Sequence, residues 1–267
     1  MTTSDERRPR LYKTAGIVLR QRRLGEADKI ITLFTPNLGK LDAVAKGVRR
    51  PRSKLGGHVE PLSHTSFLLA KGRELDIITQ AQAVELFAPV REDLDRTGRA
   101  LYLVELVDRF TPERQEAYPV FRLLLESLRR LAAETSLDAV LRFFEMRLLD
   151  HLGYRPQLQE CVVCGKALRP QTNNWSVESG GVSCPECARD SPMPRPLSLN
   201  ALKVMRLLQT GDFADVARLR LTPALAVEIE RHLREYIFYL LERDVRSARF
   251  LDTLRHTDRV AEREVRQ

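Results

Sequence analysis

The sequence predicts an α+β multidomain chain: an N-terminal five-stranded barrel, then an α-helical domain with a four-cysteine zinc module inserted in it. Three observations lead there. Short β-branched segments punctuated by turn residues fill positions 12–85, apolar residues recur at helical spacing from Asp93 onward, and all four cysteines fall in one window between helical stretches. A length of 267 residues also exceeds what one hydrophobic core usually serves. The expected division is 1–85 for the barrel, 86–155 and 197–255 for the two parts of the helical domain, 156–196 for the cysteine module, and 256–267 for a flexible tail.

The first strand is read at Ala15-Gly16-Ile17-Val18-Leu19 and the second at Lys29-Ile30-Ile31-Thr32-Leu33-Phe34-Thr35. A turn written in Pro36, Asn37 and Gly39 leads to a third, weakly alternating segment over 40–46. Two more strands, 63–70 and 74–80, flank Lys71-Gly72-Arg73, with a longer connection over 47–61 before them. Five strands with a long third connection suit a small closed barrel such as an OB-fold; an SH3-like barrel or an open sheet reads much the same. Phe34 and Phe67 sit in apolar strands and are expected in the core.

Downstream, Phe121, Leu124, Leu125, Leu128 and Leu131 repeat at three- and four-residue steps after Pro119, which suits a first helical turn. Val140, Leu141, Phe144, Leu148 and Leu152 do the same, with Ser136 as the expected N-cap and Gly153 as the stop. Ser198 is expected to cap a helix through Leu202, Met205 and Leu208, and Thr222-Pro223 to open another through Ile229, Leu233 and Ile237. Hydrophobic residues at 43% and charged residues at 30% exclude global disorder. No run approaches the ~18 apolar residues of a membrane helix, and Met1–Arg10 lacks an apolar core for export, so a soluble cytoplasmic protein is expected.

The cysteines read C-x2-C-x19-C-x2-C: Cys161, Cys164, Cys184 and Cys187. That spacing suits a tetrahedral zinc site, since each C-x-x-C knuckle brings two thiolates onto one ion. Disulfides do not suit a reducing compartment, and a redox pair accounts for only two of the four. Four protein ligands leave no position for water or substrate, so one structural Zn²⁺ per chain is expected.

Net charge is +8, and all of it lies at the N-terminal end: the first 80 residues hold 16 basic and 8 acidic side chains, the remainder 28 of each. Lys46, Arg49, Arg50, Arg52 and Lys54 place five cations in nine positions of the third connection. Arg20, Arg22 and Arg23 follow the first strand, and Lys71 and Arg73 flank a later turn. A solubilising surface is the bland alternative, but three runs on one small barrel favour a nucleic-acid surface, with loops at one end able to pool charge. Few aromatics are available for stacking, so contact with the phosphate backbone, independent of sequence, is expected.

No P-loop, H-E-x-x-H or G-x-S-x-G motif is present. His58 and His64 have no nucleophile at readable spacing and are expected on a surface loop. Glu145, Asp150 and His151 fall off the apolar helical face and are expected as solvated charges. No catalytic residue and no small-molecule substrate emerge. A nuclease-like zinc enzyme would need clustered carboxylates, and a zinc-ribbon transcription regulator a base-reading helix.

Several motifs resemble one family. Gly25-Glu26-Ala27-Asp28-Lys29-Ile30 leading to Leu33-Phe34-Thr35, then Lys46-Gly47-Val48-Arg49-Arg50, resembles the N-terminal signature of the RecO recombination mediators. Leu106-Val107-Asp108-Arg109-Phe110, Phe144-Glu145-Met146-Arg147-Leu148-Leu149 and Leu152-Gly153-Tyr154-Arg155-Pro156 resemble its helical segments. Cys161–Gly165 resembles its zinc knuckle, and Arg246-Ser247-Ala248-Arg249-Phe250-Leu251 its C-terminal helix end. The resemblance implies an OB-fold, a helical domain and an inserted zinc module. It further implies binding of single- and double-stranded DNA, annealing of complementary strands, and help to RecA on DNA covered by single-stranded DNA-binding protein. Implied partners are RecR and the acidic C-terminal tail of single-stranded DNA-binding protein, with a cytoplasmic, nucleoid-associated location. Arg122, Arg129 and Arg130, clustered on one helix, are the candidates for receiving that tail.

Overall fold

The computed structural model describes residues 11–189 and 195–241, so the 246–251 motif and the 256–267 tail lie outside the described residues. The chain divides into two compact units between Ala132 and Ala133, a boundary inside the 86–155 stretch expected as one part of the helical domain.

The first unit is built on strands β1 (Leu11–Leu24), β2 (Asp28–Thr35), β3 (Gly39–Ala45), β4 (His64–Ala70) and β5 (Asp76–Glu85). They close into a barrel in the order β1-β2-β3-β5-β4. β1 is much longer than the apolar core at Ala15–Leu19 indicates, because it serves two neighbours. Residues 11–17 pair with β4 and residues 17–24 with β2, the ladder shifting between Val18 and Arg20 where the strand bends from one neighbour to the next. The barrel shuts through a short parallel pairing, Ala43 opposite Asp76 and Val44 opposite Ile77. This order, with its long third connection, is compatible with the OB-fold, and closure leaves the sheet no open edge. Val18, Ile31, Leu33, Leu41, Phe67, Leu69 and Ile78 fill the interior, each from the inward phase of its strand. Phe34 is also buried, but it packs outward against Phe121, with ring centroids 6.2 Å apart.

Helices α1 (Ala88–Glu92), α2 (Leu94–Phe110) and α3 (Tyr118–Ala133) follow. Five residues are too few to leave a periodic signal, so α1 has no counterpart in the sequence reading. The Asp93 side chain accepts the Arg96 amide at 2.9 Å and starts α2. The α2–α3 connection lies on the β2–β3 turn, where Arg114 N donates to Lys40 O at 2.8 Å. Gly39 permits this approach: its φ is +62°, and a Cβ there would stand 1.9 Å from the Gln115 carbonyl oxygen.

In the second unit, α5 (Leu199–Thr210), α6 (Phe213–Ala217) and α7 (Pro223–Leu241) pack against α4 (Leu137–His151). The apolar repeat of α4 is buried as expected, through Val140, Leu141, Phe144 and Leu148. Ser136 precedes the helix without a side-chain cap bond, whereas Ser198 does cap α5, accepting the Ala201 amide at 3.1 Å. Between α4 and α5 a three-stranded sheet forms, β6 (Asn173–Ser176), β7 (Gly181–Ser183) and β8 (Pro196–Leu197), in the order β7-β6-β8. These strands are two to four residues long, too short to show alternation. Among the described residues no helix is long and apolar enough to cross a membrane.

Candidate metal centre and nucleic-acid interface

The four-cysteine module has no room for a conventional core, so its backbone does the positioning. Gly165 N donates to Cys161 O at 2.9 Å, and Gly165 at φ +70° turns the chain back so that Cys161 N reaches Lys166 O at 2.8 Å. The second knuckle repeats the device, with Ala188 N donating to Cys184 O at 3.1 Å. The small sheet joins them: Val162 N donates to Val182 O at 3.0 Å, and Cys184 N donates to Cys161 Sγ at 3.3 Å. All four Sγ atoms lie within 4.8 Å of one another, with Cys164 and Cys184 at 4.0 Å. Zinc–sulfur bonds of about 2.3 Å place thiolates roughly 3.8 Å apart on a tetrahedron, so the donor set fits one ion and is too open for disulfides.

The electrostatics point the same way. Burial raises the Cys161 thiol, but backbone amides of Cys164, Cys184 and Val163 aimed at its sulfur outweigh this and bring its pKa down to about 6. Hydrogen bonding to Cys184 and Cys164 pushes Cys187 up to about 12. Four thiols this close cannot all ionise unless a cation joins them. The sheet behind them is anchored on α7. Buried Trp175 meets Tyr236 edge-on at 5.7 Å and lies 5.9 Å from His232. Burial, then the neighbouring Arg231, drives His232 down to about 4, and its Nε2 sits 3.1 Å from Pro196 O.

The ten basic candidates on the barrel are all exposed, yet they do not form one cluster. The register sets their places. Arg23 lies opposite Lys29, and Lys29 opposite Ala45, so the β1–β2 hairpin tip and the start of the third connection share one end. There Gly47 N donates to Asp28 Oδ1 at 2.7 Å, and Arg49 Nη1 donates to Glu26 O at 2.7 Å. Lys46, Arg50, Arg52 and Lys54 continue that loop. Lys71 and Arg73 instead follow Ala70, which pairs with Leu11 at the opposite end of β1. The expected pooling of all three runs at one barrel end therefore does not occur. Arg20 and Arg22 are already engaged by carboxylates, with Asp108 and Asp42 each at 2.9 Å.

The helical candidates are engaged as well. Arg122 pairs with Glu126 at 3.1 Å, Arg130 with the same carboxylate at 3.8 Å, and Arg129 forks onto Glu85 of β5. Two expectations are corrected. His64 is no surface loop residue: it opens β4, is buried against Phe121, and faces Glu85 at 3.5 Å. Burial, its leading influence, lowers its pKa. Glu145 is not a solvated charge but fully buried, 3.1 Å from Arg142. Helical phase cannot reveal this, because α4 is wrapped on more than one side. His58 accepts the Ala83 amide on Nδ1 at 3.2 Å.

Two basic residues lie beyond sequence reasoning. Lys13 precedes the segment read as the first strand, and Arg114 belongs to the α2–α3 connection, where nothing in the sequence ties it to the barrel. Both line concave surfaces of the first unit.

The first unit is thus a closed β-barrel with exposed basic loops, and the second a helical body carrying a four-thiol cluster that fits one metal ion. Comparison with known proteins makes this specific. Residues 10–87 match the family model "Recombination protein O N terminal", and residues 91–249 match "Recombination protein O C terminal". The "DNA repair protein RecO" of Roseiflexus sp. (strain RS-1) is 45% identical over 248 residues, covering 93% of this chain and 87% of that protein. The protein of the same name from Symbiobacterium thermophilum is 43% identical over 249 residues, 92% of this chain and 98% of the relative. That of Dehalococcoides mccartyi (strain CBDB1) is 38% identical over 251 residues, 94% and 99% respectively. The chain belongs to the RecO family, whose descriptions are of recombination and DNA repair and carry no enzymatic activity.

Proposed function

We propose that this chain is a recombination mediator that binds single- and double-stranded DNA without sequence preference, anneals complementary strands and assists RecA on DNA covered by single-stranded DNA-binding protein. The observation that carries the reading is the exposed loop of Lys46, Arg49, Arg50, Arg52 and Lys54 on a closed barrel whose carboxylates do not face it in ion pairs among the described residues. Such a loop neutralises phosphates and releases their condensed counterions, which favours any nucleic acid and reads no base. RecR and the acidic tail of single-stranded DNA-binding protein are the proposed protein partners. A soluble cytoplasmic location with association to the nucleoid accompanies this role.

The four cysteines would hold one Zn²⁺, which supplies a structural cross-link between the two knuckles and no chemistry. The proposed domain division keeps this module, 156–196, between the two helical parts. The test is an annealing reaction between labelled complementary strands, with and without Mg²⁺, beside binding to a random-sequence duplex library. Annealing without cleavage or enriched sites supports a mediator. Cleavage dependent on Mg²⁺ would replace it with a nuclease, and an enriched site with a transcription regulator.

A further inference from the structure

Two concave surfaces of the first unit meet at Lys13. One, of about 620 Å³, runs across β1, β4 and β5 beneath the long third connection and is lined by Lys13, Lys54, Ser66, Gln80 and Gln82 among others. The second, of about 400 Å³, is lined by Lys13, Asn37, Lys71 and Arg114 around Asp76. Together they lead from the basic loop at Lys54, along the side of the barrel, to the cations at the other end of β1. Resting on the DNA-binding reading above, the geometry points to this groove as the path of a single DNA strand, Lys54–Lys13–Lys71–Arg114, with the polar side chains of β4 and β5 as its floor.

Charge complementarity supports the occupant. Among the described residues no acidic side chain lines the larger cavity, so a polyanion entering there meets lysines, neutral hydrogen-bonding groups and apolar side chains such as Leu55. Among the described residues the one carboxylate in the smaller cavity is Asp76, which is 2% exposed and already held by the Tyr12 hydroxyl at 2.6 Å, Gly72 N at 3.2 Å and Arg114 Nη2 at 3.2 Å. It thereby orients Arg114, whose side chain remains 53% exposed and leaves guanidinium edge toward the groove. A cleft of this volume is the size that small-molecule-like pieces occupy, so it takes nucleotide-sized segments. A single strand can lay such segments into a concave floor. A duplex holds its bases stacked inside the helix and offers mainly its phosphates to the rim. The arrangement also accounts for Lys71, which follows the β4 end paired with Leu11 and so lies at the opposite end of β1 from the loop cluster.

The test uses the full chain and labelled oligothymidylate, with a duplex of mixed sequence in parallel. Lys13→Gln combined with Lys71→Gln should flatten the single-strand log K against log salt slope by about 1.4, at about 0.7 per phosphate contact, and the duplex slope by clearly less. Arg114→Gln should remove about a further 0.7 and Arg114→Lys should not, while melting curves report whether Asp76 still has its partner. A photo-crosslinker at Gln82 should attach to oligothymidylate. If the parent binds DNA and the 46–54 loop variant weakens it, but the Lys13/Lys71 variant binds as the parent, the path is wrong and the function reading stands. Equal loss on duplex and single strand overturns the choice of strand. If the parent binds neither, the function reading itself falls.

Discussion

The cysteine module and the basic face of the barrel assemble their functional atoms to very different tolerances. Four sulfurs converge within 4.8 Å on knuckles braced by backbone hydrogen bonds, whereas the barrel's cations spread from Arg23 at one end of β1 to Lys71 at the other. The chemistry proposed for each site explains this. A tetrahedral ion accepts donors only within tenths of an ångström, so the chain supplies left-handed glycine and fixed turns. A phosphate backbone is a line of repeating charge, and flexible side chains along a surface meet it without convergence. The first site should therefore fail as a unit and the second in increments.

The largest expected effect is on the metal centre. Cys161→Ser, or a strong chelator, should remove the bound ion and with it a contribution on the order of 10 kcal/mol to ordering the module. Elemental analysis of protein purified without chelators should show one zinc per chain in the parent and none in the variant. DNA binding by the barrel should persist, and its loss would mean the two regions are not separable. Next comes the loop. Replacing Lys46, Arg49, Arg50, Arg52 and Lys54 together should lower the duplex log K against log salt slope by up to about 4.5, at about 0.9 per contact. A melting curve should barely move, because these side chains are exposed. An unchanged slope with an intact fold would place the duplex elsewhere.

A smaller effect belongs to His232, which joins the module's Trp175 to α7. Its pKa falls from 6.5 to about 4 on folding, so between those values the unfolded chain binds the extra proton. Stability is then complete above pH 6.5 and declines as pH falls toward 4, by about 3 kcal/mol at about 1.4 per pH unit. Denaturant titrations of the parent and of His232→Asn across that window should differ in slope, the variant being flatter. The smallest effect is expected from Arg129→Ala. Its fork onto Glu85 is half exposed, and such pairs contribute under about 1 kcal/mol. A loss of several kcal/mol would show that this pair, and not apolar packing at Phe121, holds α3 to the barrel.

The chemically demanding site was also the more legible. Cys161, Cys164, Cys184 and Cys187 announce themselves by spacing, because the knuckle geometry is local and each pair is closed by its own turn. The basic face was legible in its main loop but not in its extent. Lys13 and Arg114 reach it through strand register and a loop-to-turn contact between residues far apart in sequence. Helical phase placed the apolar side of α4 correctly and misjudged Glu145, because a side chain's burial depends on how many neighbours surround the helix.

By itself the sequence determined the five barrel strands, the long helices and the four-cysteine set, all of which depend on residues a few positions apart: β-branched runs, i to i+4 repeats, paired cysteines. Tertiary structure alone decided which charges are spent and which are available. Arg20, Arg22 and Arg129 lie in basic runs, yet the folded chain gives each a carboxylate from another element, at Asp108, Asp42 and Glu85. It decided the ends of the barrel too, since β1 turns from one neighbour to the other midway and carries Lys71 away from Lys46. Coulombic pairing and strand register act between residues that the chain separates by dozens of positions, and no local pattern encodes which of them will meet.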